Sequence, residues 1–238
     1  MAMVVFGAGG GLGQALTQRL AQVYEQQQVS AVSRQAGKKR WPGVQYVTLG
    51  DYSEATIRSW ASDFSNSGAA LDGVISTIGM LHDEATFPEK QLADLDENNL
   101  EKLFHVNAVV PLLILKHCQP LFDRKREAFF VQLSAKVGST EDNYLGGWYS
   151  YRASKAALNM LLKTASIELK RRYKKLVVAA VHPGTTDTEL SAPFQKRVPE
   201  DKLYSTELSA QRIVRVIEGL TVEMSGGLFH WDGTRLPY

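Results

Sequence analysis

Met3-Val4-Val5-Phe6 runs directly into Gly7-Ala8-Gly9-Gly10-Gly11-Leu12-Gly13, and a helical pattern follows from Gln14 to about Gln27. No other stretch narrows the fold so far. A short buried strand, a glycine-rich turn and a helix together cradle phosphate. Glycine lets the chain turn tightly and a pyrophosphate approach the backbone, while the first helical N–H groups and the positive dipole end face the anion. Gly7, Gly11 and Gly13 are spaced G-x-x-x-G-x-G, not the G-x-G-x-x-G of most dinucleotide folds. The backbone of Gly7, Gly9, Gly10, Gly11, Leu12 and Gly13 is therefore the candidate nucleotide cradle.

Val29 to Ser33 reads as the second strand. A carboxylate at its end would bond the ribose hydroxyls of NAD. Here the strand ends in Ser33-Arg34, with Lys38, Lys39 and Arg40 close behind. A hydroxyl and a planar guanidinium suit an adenosine 2′-phosphate, so NADP(H) is favoured and NAD(H) remains possible.

The remaining pattern alternates strands and helices. Strands are expected at Val44–Leu49, Leu71–Thr77, Ala128–Ser134, Leu176–Val181 and Gly226–His230. Helices are expected near 53–64, 97–121, 151–173 and 205–219. The fold class is α/β, one doubly wound Rossmann-type domain with a mainly parallel sheet of about seven strands. Asp51 either touches adenine or caps the helix that follows. Thr77 and Gly79 lie at the C-terminal end of a strand, where ligands bind in open α/β sheets. The polar, proline-punctuated segment 189–204 is long for a connection and is expected to cover a substrate.

Tyr151 and Lys155 are four apart at the start of an apolar helix and so share a face. A phenol has an unperturbed pKa of ~10, and a nearby cation favours its ionised form. That makes the pair a candidate proton donor and acceptor. Asn107 stands four residues ahead of Pro111, which has no N–H to offer its carbonyl, so a kink that leaves the carbonyl to a water or a lysine is expected. His182, before Pro183-Gly184 at a strand end, reads as packed and hydrogen-bonded.

Composition excludes several classes. A formal charge of +2 does not argue for nucleic acid or an anionic membrane. The basic clusters at Arg124–Arg126 and Arg171–Lys175 follow helical patterns, where cations complement a C-terminus. One cysteine, Cys118, rules out an internal disulfide framework and reads as core. The first apolar run meets glycine too soon for a secretion signal, and a cytoplasmic setting is expected.

Taken in order, Gly7-x-x-x-Gly11-x-Gly13, Asn107, a serine-bearing strand end, Tyr151-x-x-x-Lys155 and Pro183-Gly184 resemble the classical short-chain dehydrogenase/reductases over nearly the whole chain. Gly146–Asn159 and Val137-Gly138-Ser139 resemble the C-factor-type branch. The resemblance implies a carbonyl/alcohol oxidoreductase acting on a small molecule, packed as a homodimer or homotetramer through the helices of Asn107 and Tyr151. It implies that Tyr151 exchanges the substrate proton, that Lys155 lowers the Tyr151 pKa and binds the nicotinamide ribose, and that Asn107 holds a relay water. Pro183, Gly184 and Thr188 would border the nicotinamide. Phe6 and Ser76-Thr77-Ile78-Gly79 depart from the family pattern without touching the chemistry. The serine is the serious departure. Anchoring on Gly138 sets Ala135 where the family has its catalytic serine, and neighbouring strand residues face opposite ways. Ser134, or Ser139, would need a strand-end irregularity to reach the substrate, and Ser134 is carried as the catalytic candidate. Trp148, Tyr144 and Phe194 suit either an apolar or aromatic ligand or the core. The alternative function is a nucleotide-binding signalling protein with little turnover.

Overall fold

The computed structural model describes residues 2–24, 28–37 and 40–238. Lys38, Lys39 and the expected end of the first helix at Gln27 lie outside them. Among the described residues, apolar runs alternate with helices and form one eight-stranded sheet. Its strands are β1 (Ala2–Phe6), β2 (Gln28–Ser33), β3 (Val44–Thr48), β4 (Leu71–Ser76), β5 (Ala128–Leu133), β6 (Leu176–His182), β9 (Leu228–His230) and β10 (Arg235–Leu236). The order is β3-β2-β1-β4-β5-β6-β9-β10, parallel except for the last pair. The sheet matches the expected one of about seven strands and adds one short strand at its edge. Two residues, Arg235 and Leu236, pair back onto β9 and are too few to show a strand period.

Successive residues of a strand face opposite sides, and β1 shows what each side buries. Val4 and Phe6 join Val74, Phe130 and Val178 in a core covered by α2 (Glu54–Asn66), α4 (Val110–Cys118) and α5 (Tyr149–Leu169). Met3 and Val5 join Ile75, Val131 and Ala179 beneath α1 (Gly11–Val23) and α6 (Thr206–Glu218). Cys118 is fully buried in the first core. The strand order reverses between β1 and β4, and a crevice outside the carboxyl ends follows from that reversal.

Three elements differ from expectation. The helix over 97–121 is interrupted. After α3 (Glu97–Phe104), a π turn covers His105–Val109, α4 follows, and a 3₁₀ turn closes Gln119–Leu121. Pro111 withholds its N–H at this point, and the wider turn bonds Val110 N–H to the His105 carbonyl. The Tyr151 helix starts two residues early, at Tyr149, and ends at Leu169. Segment 189–204 carries 3₁₀ turns at Ala192–Arg197 and Glu200–Lys202, then β8 (Leu203–Tyr204), which pairs with β7 (Thr185–Thr186). The basic residues between elements have local partners as well as helix ends. Arg126 pairs with buried Asp72, Arg124 lies over the Tyr173 ring and Arg172 meets Glu168. Among the described residues no helix is long and apolar enough to cross a membrane.

Candidate active site

The β1–α1 turn is built almost wholly from backbone. Gly7 holds φ +80°, and Gly10 caps α1 with no side chain of its own. A Cβ on Gly13 would run into the Gly7 carbonyl and lie 2.9 Å from the Ala8 Cα, so helix and turn touch only because this residue has no side chain. Gly9, Gly10 and Gly11 are exposed, and the first turn of α1 carries no acidic residue. That arrangement suits a pyrophosphate, and the residues present fit a dinucleotide.

The turn is braced from below by hydroxyls. Thr77 Oγ donates to the carbonyls of Phe6 and Gly7, each at 3.1 Å. Thr77 therefore directs its hydroxyl into the turn, not outward. Tyr52 Oη accepts from Gly7 N–H at 3.1 Å, a contact that sequence spacing did not disclose. Burial pushes the Tyr52 phenol up to about 12, so it stays protonated. Ser33 is buried and donates to the Gln35 carbonyl at 2.6 Å, while Arg34 is exposed and makes no ion pair among the described residues. Asp51 accepts from Ser53 N–H, and Ser53, not Asp51, caps α2. Leu12 packs against the core under α6.

Across the crevice, side chains do the building. Tyr151 and Lys155 are both buried, with Lys155 Nζ 5.9 Å from the centre of the Tyr151 ring. A Cβ placed on Gly79 would lie 3.1 Å from Lys155 Nζ and 3.4 Å from Asn107 Oδ1, so ammonium and amide meet at the end of β4. Asn107 spends its whole side chain on position. Its amide donates to the Met80 carbonyl at 2.8 Å and to Ser154 Oγ at 3.0 Å, and its Oδ1 accepts from Met80 N–H at 2.7 Å. It thereby clamps the π turn to the β4 loop and to α5. Lys155 donates to the Leu133 carbonyl at 3.2 Å and has no other hydrogen bond among the described residues, although an ammonium carries three donors.

Two expectations are corrected here. Desolvation raises the Tyr151 phenol above its ordinary value and brings the Lys155 ammonium down to about 8. Burial therefore outweighs the cation, and the expected lowering of the phenol is absent from this arrangement. The second concerns Ser134. Its hydroxyl donates to Asn159 Oδ1 at 2.7 Å, whereas Ala135 packs with Tyr151 and Leu81. Regular strand alternation keeps Ser134 turned beneath α5, and no irregularity rescues it. Ser139 is buried and accepts from Asp142 N–H.

α5 has no side-chain cap of its own, since Trp148 occupies that position at φ +54°. Buried Glu89 replaces the cap. Its carboxylate takes both the Ser150 hydroxyl and the Ser150 N–H, and its carbonyl takes Trp148 N–H at 2.6 Å. A distant glutamate so sets the helix turn that bears Tyr151, and no local spacing could have revealed it.

Beyond β6, Gly184 has φ +78°, and a Cβ there would meet the Tyr204 and Trp231 rings within 2.9 Å. Pro183 and Gly184 are half-buried, and Thr188 packs its methyl beside Gly11, where a Cβ would lie 3.4 Å away. The β6 loop and the glycine turn therefore face each other across the crevice. His182 is packed as expected, but its Nδ1 has no hydrogen-bond partner among the described residues. Desolvation, followed by His230 and Lys136, pushes it down to about 3 and keeps it neutral.

A mainly parallel, doubly wound sheet with a glycine-rich first turn defines a dinucleotide-binding fold. The family model described as short chain dehydrogenase matches residues 1–199, and the chain belongs to that family. It is an NAD(P)-dependent oxidoreductase on the C-factor-like branch. A 1-hydroxy-2-glutathionyl-2-methyl-3-butene dehydrogenase of Rhodococcus sp. (strain AD45) is 30% identical over 187 residues, 78% of this chain and 76% of that protein. The C-signal protein of Myxococcus xanthus is 32% identical over 147 residues, 62% of this chain and 83% of its own length. In fold, the chain superposes on the carbonyl reductase Sniffer of D. melanogaster with a TM-score of 0.86 at 20% identity, covering 100% of this chain and 99% of that one. An NADPH-bound carbonyl reductase from chicken fatty liver gives 0.85 at 22% identity, covering 100% and 94%.

Proposed function

We propose that the protein is an NADP(H)-preferring reductase or dehydrogenase that interconverts a carbonyl and an alcohol on a small molecule, with Tyr151 as the proton donor and acceptor. The observation that carries this reading is Lys155. A buried ammonium with one hydrogen bond is expensive to keep, and such groups concentrate where chemistry needs them. It lies one helical turn from a buried phenol and beside the amide of Asn107. A nicotinamide bound beside these residues would supply or accept the hydride. Tyr151 gives its phenolic proton to the substrate oxygen during reduction and recovers it through Lys155. The Asn107 carbonyl, which Pro111 cannot serve, accepts from a relay water. Apolar Ala135, Leu81 and Trp148 keep bulk water from the phenol.

The glycine turn, with Gly7, Gly9, Gly10, Gly11, Leu12 and Gly13, would hold the pyrophosphate. Ser33 and Arg34 would face the adenosine 2′-phosphate. Thr77 acts through the turn it braces, and Gly79, Pro183, Gly184 and Thr188 would border the nicotinamide. Segment 189–204 would cover the substrate. Exposed Val109, Met160 and Ile167 on the π turn and α5 support a homodimer or homotetramer built on these helices. A signalling role with little turnover is not favoured, because the longer of the two sequence matches above is a dehydrogenase by name.

Tyr151→Phe tests the mechanism. Turnover should fall at least ~10²-fold, the lower range for general acid catalysis, with nucleotide affinity near wild type. Unchanged turnover removes Tyr151 from the reaction. Titrating both nucleotides tests the preference, and tighter NAD(H) binding overturns it.

A further inference from the structure

Three separate loops bring aromatic rings to Tyr151. Trp148, just ahead of α5, meets the Tyr151 ring edge-on with centres 6.1 Å apart, and Phe194 tilts against Trp148 at 5.0 Å. His82, from the loop after β4, meets Phe194 at 5.7 Å and stacks on Phe87 at 5.5 Å. The chain of rings begins at the buried phenol and ends at Phe87, which is 58% exposed. Leu81 and Ala135 complete the inner end.

His82 also ties the rings together. Its Nε2 lies 3.2 Å from the Glu189 carbonyl and 3.1 Å from the Leu190 carbonyl. Both acceptors are main-chain oxygens, so Nε2 carries the proton and donates to them. Phe194 stands four residues further along the same segment. The imidazole thus fixes segment 189–204 to the β4 loop and sets the Phe194 ring against Trp148. A left-handed backbone at Trp148, the only residue other than glycine with positive φ among those described, aims the indole at the phenol. Such strain persists at positions that a site over-determines.

Resting on the carbonyl–alcohol reading above, we infer that this ring path is the substrate-recognition surface and that it selects carbonyl compounds bearing a planar aromatic ring next to the carbonyl, with His82 as the positioning residue for Phe194. Tilted and edge-on rings offer a flat π system offset-stacked and T-shaped partners, which a puckered saturated ring of equal size cannot use.

Acetophenone and cyclohexyl methyl ketone have the same carbon skeleton size and differ in ring planarity. With NADPH, wild type should reduce the aryl ketone with kcat/KM at least about tenfold higher. Phe194→Leu keeps apolar bulk and should bring that ratio close to one. His82→Leu cannot donate to residues 189 and 190 and should raise KM for the aryl ketone about tenfold with a much smaller change in kcat. His82→Asn, which keeps a donor, should recover part of the loss. A wild-type ratio near one, or a ratio that survives Phe194→Leu, overturns the inference and leaves the reaction intact. If neither ketone turns over with NADPH or NADH, the oxidoreductase mechanism falls instead. Calorimetric binding of 1-phenylethanol against 1-cyclohexylethanol then decides the inference separately, equal affinities overturning it.

Discussion

The two walls of the crevice are made differently. The glycine turn uses main chain, with exposed Gly9–Gly11 above and the hydroxyls of Thr77 and Tyr52 below. The Tyr151 wall uses side chains from four distant segments, holding an under-bonded ammonium beside the apolar cluster around Tyr151. Main-chain donors bind an anion with no charge of their own to bury. The opposite wall keeps a charged group out of water, which costs stability. One wall is limited by shape and the other by electrostatics, and substitutions should separate them.

Lys155→Met gives the largest expected contrast. Turnover should fall at least ~10²-fold, yet the protein should become more stable near neutral pH. The sign follows from the lowered folded pKa, about 8 against the ordinary 10.5. Below pH 8 both states are protonated and the burial cost is fully present, on the order of 3 kcal/mol at ~1.36 kcal/mol per pKa unit. Between pH 8 and 10.5 the unfolded chain binds more protons, so wild-type stability rises through that window. Above pH 10, Tyr151 works the other way, because its folded pKa is raised and the unfolded phenol ionises first. Thermal melts from pH 7 to 10 should show the Lys155→Met variant unfolding roughly 5–10 °C above wild type at pH 7, the gap narrowing as pH rises. A destabilised variant at pH 7 breaks the contrast.

Gly13→Ala probes the other wall. Its methyl would press on the Gly7 carbonyl and the Ala8 Cα, both backbone and unable to swing away. Nucleotide affinity should drop more than about tenfold as the turn opens. Gly10→Ala makes the control, since its nearest neighbour would be 3.7 Å away, and its melting temperature should stay close to wild type. Equal damage from both would mean that close approach is not what Gly13 provides.

Ser134→Ala should have the smallest effect on turnover, about threefold or less, and a measurable one on stability. It leaves Asn159 Oδ1 buried without its 2.7 Å donor, a loss of roughly 1–3 kcal/mol. Denaturant unfolding and steady-state rates check the two halves. A hundredfold loss of turnover with unchanged stability would return Ser134 to the reaction.

Much of the fold was legible in order. The strand–glycine–helix unit, the alternating pattern and the Tyr151–Lys155 spacing are local, because a helix repeats every few residues and a strand every two. Even the doubt about Ser134 was local, since alternation alone says that adjacent strand residues face apart. The last strand escaped notice because two residues cannot display a period. Glu89 as the cap of α5, Tyr52 beneath the glycine turn and His82 on the 189–190 carbonyls escaped for another reason. Each joins residues 45 or more positions apart.

Residue types and spacings by themselves determined that this chain winds a parallel sheet, turns on glycine at its first crossover and carries a phenol and an ammonium on one helical face. Only the tertiary structure decided their ionisation, because burial is a property of what packs around a group, and here desolvation overrides the neighbouring charge. It also decided which hydroxyl is spent on Asn159 and which rings reach Tyr151, since both depend on loops that meet only once the sheet has closed their separation.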